Sequence, residues 1–172
     1  MFEFITDKDI YEKVLSDRVG NAHKFLWIAT SDLKDLYVHK SKRMVPFLEI
    51  LSDLITKCVE IRLLHAKEPG PAFQKDFDRY PNLINGMERI LCPRVHLKTV
   101  IIDGSFAYSG SANLTGAGMG AKSENKRNFE SGFITDDTTV IEKIMEQFDS
   151  IWRGTHCGRC MRKKYCSDYP DV

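Results

Sequence analysis

Residues 96–113 constrain this chain more than any other stretch. Two apolar runs, Val100-Ile101-Ile102 and Phe106-Ala107-Tyr108, flank Asp103-Gly104, a pair typical of tight hairpin turns. His96 and Lys98 are two apart at the head of the first run. On a strand both side chains leave the same face, with Leu97 and Thr99 on the other. The face carrying His96 and Lys98 is expected to line a site.

Read together, His96, Lys98, Asp103, Gly110, Ser111 and Asn113 spell H-x-K-x4-D-x6-G-S-x-N. A chance match in a chain of this length is on the order of one in a million at ordinary residue frequencies. His65-Ala66-Lys67 repeats only the first element, because Ala72 stands at the Asp offset and Arg79-Tyr80 at the Gly-Ser offset. The chain therefore holds one complete motif.

This motif resembles the HKD motif of the phospholipase D superfamily, which includes phospholipases, cardiolipin synthases, nucleases and DNA-repair phosphodiesterases. The resemblance covers roughly residues 1–155. It implies that one imidazole attacks phosphorus to give a phosphohistidine, a second protonates the leaving oxygen, and water then resolves the intermediate. A single His96 cannot fill both roles. Single-motif nucleases of the family join two copies across a twofold axis, so the resemblance implies a homodimer with one composite site.

The residues also carry chemistry of their own. Lys98 supplies positive charge for phosphate oxygens, and Asn113 supplies amide donors to the charge that builds up during attack. Gly110 lets backbone approach a phosphate closely, and Ser111 can donate from its hydroxyl. Taken singly, a histidine in an apolar strand, an Asp-Gly turn and a Gly-Ser-Ala-Asn turn are all ordinary; their joint spacing is not. Asp103 has two compatible roles, as the turn residue and as a supporting partner for Lys98 or the turn backbone. Residues 128–134 read as a strand and resemble the segment where the superfamily places an acidic residue on the catalytic imidazole, a role that Glu130 fits. An exposed strand glutamate is the plainer alternative.

The formal net charge of +1 gives no whole-molecule attraction to a polyanion, so any basic surface must be local. The Gly-rich loop 115–127 ends in Lys126 and Arg127, candidate substrate contacts, and is equally readable as a solvated loop. No segment is long and apolar enough to span a membrane, and the first residues lack the pattern of a signal peptide. A cytoplasmic protein is expected, with membrane association only through an anchor beyond this sequence.

A coarse pass gives alternating elements. A helix is expected over 7–17, with Ile10, Val14 and Leu15 inward, and a buried strand over 25–29. Met44, Val45, Phe47, Leu48, Leu51, Leu54 and Ile55 mark a second helix, which leads to a strand at 59–64. After Pro69-Gly70-Pro71, a polar and partly helical stretch runs to about Glu88 and a strand follows at 89–92. The motif hairpin, the Glu130 strand and a final helix from Asp136-Asp137 to Trp152 complete the order. The expected fold is α/β, a mixed sheet flanked by helices as in the superfamily, with a short Cys-rich C-terminal tail over 156–172.

Three of the five cysteines fall in that tail, and Cys157-x-x-Cys160 is the turn that lets two thiolates grip one metal ion. Cys157, Cys160 and Cys166 with His156 form a candidate structural zinc site, with an iron–sulfur cluster as the alternative. His156 adjoins Cys157, which makes joint ligation awkward, and a residue from elsewhere such as Cys92 is another fourth ligand. Loose thiols or a disulfide are the plainer readings, the latter disfavoured in a reducing compartment. The superfamily's histidine chemistry implies no cofactor for catalysis. The expected activity is metal-independent hydrolysis of nucleic-acid phosphodiesters by an endonuclease. Phospholipid hydrolysis or transphosphatidylation, and a nucleic-acid-binding module with a vestigial site, are the alternatives.

Overall fold

The computed structural model describes residues 1–168; the last four residues of the expected tail, 169–172, lie outside the described residues. The chain runs β1 (Phe2–Thr6), α1 (Lys8–Ile10, continued as a π-helical stretch over Tyr11–Ser16), β2 (Phe25–Thr30), β3 (Tyr37–Lys40), β4 (Arg43–Pro46), α2 (Phe47–Thr56) and β5 (Glu60–His65). It continues through α3 (Pro71–Phe77), α4 (Asn82–Gly86), β6 (Met87–Leu91), β7 (Thr99–Ile102), β8 (Phe106–Gly110), β9 (Ser131–Thr135) and α5 (Thr138–Trp152).

Seven strands form one mixed sheet in the order β1-β9-β8-β7-β2-β5-β6. The β2, β5 and β6 strands are mutually parallel, and β7, β8, β9 and β1 continue antiparallel from β2. Alternation along the strands builds two apolar layers. Val100, Ile102, Phe106 and Tyr108 face α1, α2 and α4, whereas Ile101 and Ala107 face Ile141 and Phe148 of α5. Every residue of β7 is buried, as expected for a central strand covered on both faces. The start of α5 is fixed by the Asp137 carboxylate, which accepts from Thr139 N at 2.9 Å and Val140 N at 3.2 Å.

The α/β fold with a mixed sheet is as expected, but several elements differ. Met44 and Val45 lie on β4, paired with β3, rather than in a helix. Pro46 disfavours a helical residue before it, and Phe47 opens the helix instead. β1 is an additional edge strand against β9, not anticipated from its sequence. The polar stretch after Pro71 forms two short helices separated at Tyr80-Pro81. His96 and Lys98 lie in an extended segment just ahead of β7 rather than within the strand.

Candidate active site

Because β7 and β8 are antiparallel and β2 runs antiparallel to β7, four chain segments meet along one strand-end edge of the sheet, the rim formed by the ends of its central strands. These are the approach to β7 with His96 and Lys98, the exit of β8 with Gly110, Ser111 and Asn113, the approach to β9 with Glu130, and the exit of β2 with Thr30 and Ser31. Gly110 N donates to Lys98 O at 3.1 Å, continuing the ladder to this edge. His96 is exposed there, while Lys98 is buried.

The Lys98 ammonium lies 3.0 Å from His96 Nδ1 and 3.3 Å from Nε2, and donates to His96 O at 2.8 Å. Burial pushes the Lys98 pKa below its ordinary value, partly offset by the Glu130 charge. Across the edge, Asn113 Oδ1 accepts from Ser31 N at 3.2 Å, Ser31 Oγ at 2.8 Å and Asp32 N at 3.2 Å. Those donors must meet the oxygen, so the amide orientation is set and Nδ2 is directed away from them. Ser31 is thus a positioning residue that carried no motif signal in the sequence.

Ser111 Oγ donates to Glu130 Oε2 and accepts from Ser131 N at 3.1 Å. Glu130 Oε1 accepts from Asn128 Nδ2 at 3.0 Å. The Glu130 backbone is clamped by Asp7, whose carboxylate accepts its N–H and whose own N–H reaches its carbonyl, both at 2.9 Å. The carboxylate therefore engages Ser111 and Asn128 rather than the His96 imidazole, a departure from the expected pairing. The Asp7 clamp, formed by the unanticipated β1 and its left-handed exit at Asp7, φ 47°, fixes the backbone from which this carboxylate reaches Ser111 and Asn128. Beneath this turn the buried Tyr108 hydroxyl accepts from Ala112 N at 3.4 Å, and burial pushes its pKa up to about 12.

Asp103 stands at the opposite edge. Its carboxylate accepts from His23 N at 2.9 Å, Lys24 N at 2.7 Å and Phe25 N at 2.9 Å, and so ties the β7–β8 turn to the start of β2. Five residues of extended chain separate it from Lys98, on the order of 16 Å. Of its two expected roles, the geometry provides the turn role; a contact with Lys98 is excluded. Burial acts against ionisation, but the bonds from Phe25, Lys24 and His23 outweigh it and hold the Asp103 carboxyl below the usual range. Gly110 has a packing reason of its own: an added Cβ would lie 2.4 Å from Tyr108 Oη and 2.5 Å from Ser131 O.

The Gly-rich loop packs back on itself, with Lys126 N and Arg127 N both donating to Ser123 O. A cavity of about 230 Å³ beside Asn113 is walled by Asp32, Lys34, Lys122 and Asn128. The cations on its wall are Lys34, from the β2–β3 connection, and Lys122 of the Gly-rich loop, while Lys126 and Arg127 are not on its wall. His65, of the incomplete second motif, is buried with Nδ1 bonded to Lys67 O at 2.8 Å, and burial lowers its pKa. In the tail, Cys157, Cys160 and His156 line a second cavity together with Cys92, while Cys166 Sγ donates to Leu91 O at 3.3 Å.

A mixed sheet with helices on both faces and a histidine–lysine pair at its edge defines a phospholipase D-like fold. The profile of the family described as "Cardiolipin synthase, PLD-like domain" matches residues 15–152, and the chain belongs to this family within the phospholipase D superfamily. The fold is similar to NucT from Helicobacter pylori, TM-score 0.63 at 16% identity over 89% of this chain and 97% of that one. It is also similar to Nuc from Salmonella typhimurium, a phospholipase D family member, TM-score 0.65 at 14% identity over 89% of this chain and 94% of that one. A third likeness is to TrmBL2, an archaeal chromatin protein, TM-score 0.60 at 13% identity over 88% of this chain and 52% of that one. No match is found among curated protein sequences.

Proposed function

We propose that this chain is a metal-independent phosphodiesterase that cleaves nucleic-acid backbones as a homodimer with one composite site. The observation that carries the reading is the convergence of His96, Lys98, Ser111 and Asn113 at one sheet edge with a single reactive imidazole. His65 is buried and bonded to Lys67 O, so it offers no second imidazole to that edge. A second copy would supply it.

In the proposed reaction a His96 ring nitrogen attacks phosphorus as the bond to the leaving oxygen breaks, and the partner's His96 gives that oxygen a proton. Water then attacks the phosphohistidine, returning a proton to the partner's His96 and releasing a phosphate monoester. Lys98 and the Asn113 amide would hold the phosphoryl oxygens as charge builds up on them. Residues 1–155 form the catalytic domain in this reading, and 156–172 an accessory tail.

The fold similarity to NucT and to Nuc, the latter a phospholipase D family member, over nearly their whole lengths supports the reading drawn from the single-motif branch, with nucleic acid as the substrate class. A lipid diester is the second reading, favoured by the family's cardiolipin synthase description. Among the described residues no helix is long and apolar enough to cross a membrane. The test is a mixing series of wild type with His96→Ala, assayed on single-stranded DNA, RNA and phosphatidyl lipid vesicles. Activity on nucleic acid that falls as the square of the wild-type fraction supports the composite site. A linear fall contradicts it, and turnover of lipid alone would promote the second reading.

A further inference from the structure

We propose that Cys92, Cys157, Cys160 and Cys166 form a closed structural zinc site that clamps the C-terminal tail onto the loop leading into His96. Two of these cysteines line the Cys-x-x-Cys turn, which is closed by Cys160 N donating to Cys157 O at 3.0 Å. Together with His156 and Cys92 they wall a cavity of about 190 Å³ between the tail, α5 and the segment after β6. Arg162 N donates to Cys160 Sγ at 3.4 Å, the kind of bond that steadies a ligating thiolate.

Cys166 lies beside the same segment, bonded to the residue before Cys92. Both backbone groups of Leu91, the residue before Cys92, are bonded to tail side chains: Leu91 N donates to Asp168 Oδ2 at 2.6 Å, and Cys166 Sγ donates to Leu91 O. The tail is thereby laid along the end of β6. All five cysteines are thiols, and Cys58 lies between α2 and the start of β5, at the opposite strand end from Cys92.

Apolar packing contributes little to holding the tail. Among its described residues, 156–168, side chains are largely exposed, with Met161 92% and Tyr165 56% accessible, and a segment of this length buries too little apolar surface to order itself. A zinc ion held by four thiolates supplies that order outright, each thiol releasing its proton to solvent as it ligates. Among the described residues no three such side chains are arranged as a ligand set as they stand. Closure turns Cys166 Sγ from Leu91 O into the cavity and draws the turn toward Cys92. His156 is left out, because its neighbour Cys157 already occupies the adjacent position.

The site would act on catalysis only through position. Cys92 N donates to His65 O at the end of β5 at 2.8 Å and Val95 N to Cys92 O at 2.9 Å, so the clamped loop runs from the end of β6 to the residue before His96.

The test is metal content of the purified full chain by plasma mass spectrometry, for wild type and single variants. About one zinc per chain is expected, lost in Cys92→Ser, Cys160→Ser and Cys166→Ser and retained in Cys58→Ser and His156→Ala. A metal-free wild type, full zinc in Cys92→Ser, or iron in place of zinc would overturn the proposal. Should the serine variants fail to fold, cobalt refilling of the wild type decides instead. A tetrahedral spectrum with charge-transfer intensity of four thiolates is expected, and three thiolates plus imidazole would overturn the exclusion of His156.

Discussion

The ammonium of Lys98 lies 3.0 Å from Nδ1 of His96 while donating to the carbonyl of the same residue. This contact joins the exposed His96 imidazole to a buried positive charge. The lysine is held in place by its own backbone neighbour rather than by a carboxylate, so its charge remains available to a phosphate.

Lys98→Met is expected to lower kcat/KM on a small diester by on the order of 10² or more. It should not lower thermal stability, because it removes a desolvated charge. The Lys98 pKa in the folded protein is below its ordinary value, so its charge weighs on stability most at neutral pH. The stability gain of the variant should therefore shrink as pH rises through that lowered pKa toward 10.5. Melting curves at several pH values check this.

Asp103→Asn is expected to cost stability, about 1–2 kcal/mol from three weakened bonds to backbone N–H groups, with turnover per folded molecule nearly unchanged. The Asp103 carboxyl is held below the usual range, so its contribution is present above about pH 4 and is lost as pH falls through the folded value. Denaturant midpoints of wild type and variant should converge below that pH. A large loss of kcat in the folded variant would contradict a role confined to the turn.

Asn113 offers a pair of contrasting variants. Asn113→Ala leaves Ser31 N and Asp32 N without their acceptor and should cost about 1–3 kcal/mol along with activity. Asn113→Asp keeps the acceptor but replaces the amide donors with negative charge. It should fold nearly as well as wild type yet cleave on the order of 10² more slowly. Parallel unfolding and kinetic measurements separate the two effects.

Gly110→Ala is expected to destabilise by about 1–3 kcal/mol through the close approach to Tyr108 Oη and Ser131 O. Tyr108→Phe should relieve part of that loss, because it removes the nearest atom. The double variant, measured by thermal melting, checks the coupling.

The motif hairpin was legible in the sequence because local signals agreed: an Asp-Gly turn, two apolar runs and fixed offsets to His96, Lys98 and Asn113. The α5 start was legible for the same reason, in Asp136-Asp137. Met44 and Val45 misled, because their apolar spacing continues that of α2 while Pro46 sets the backbone. What was not legible depends on contacts between distant segments. Ser31 at the exit of β2 meets Asn113 past the end of β8, and Asp7 fixes the Glu130 backbone only once β1 pairs with β9. No periodicity within either segment encodes such a meeting. Asp103 carries the motif spacing, yet its partners are backbone groups some 80 residues upstream, which no side-chain pattern announces.

The most direct test of the central claim is diester cleavage by wild type and His96→Ala in EDTA, on bis(p-nitrophenyl) phosphate and single-stranded DNA. Wild type should cleave both, and the folded variant should be slower by roughly 10³ or more. Equal rates for the two proteins, or a wild type that turns over only with added divalent metal, would contradict histidine-based phosphodiester chemistry at this edge.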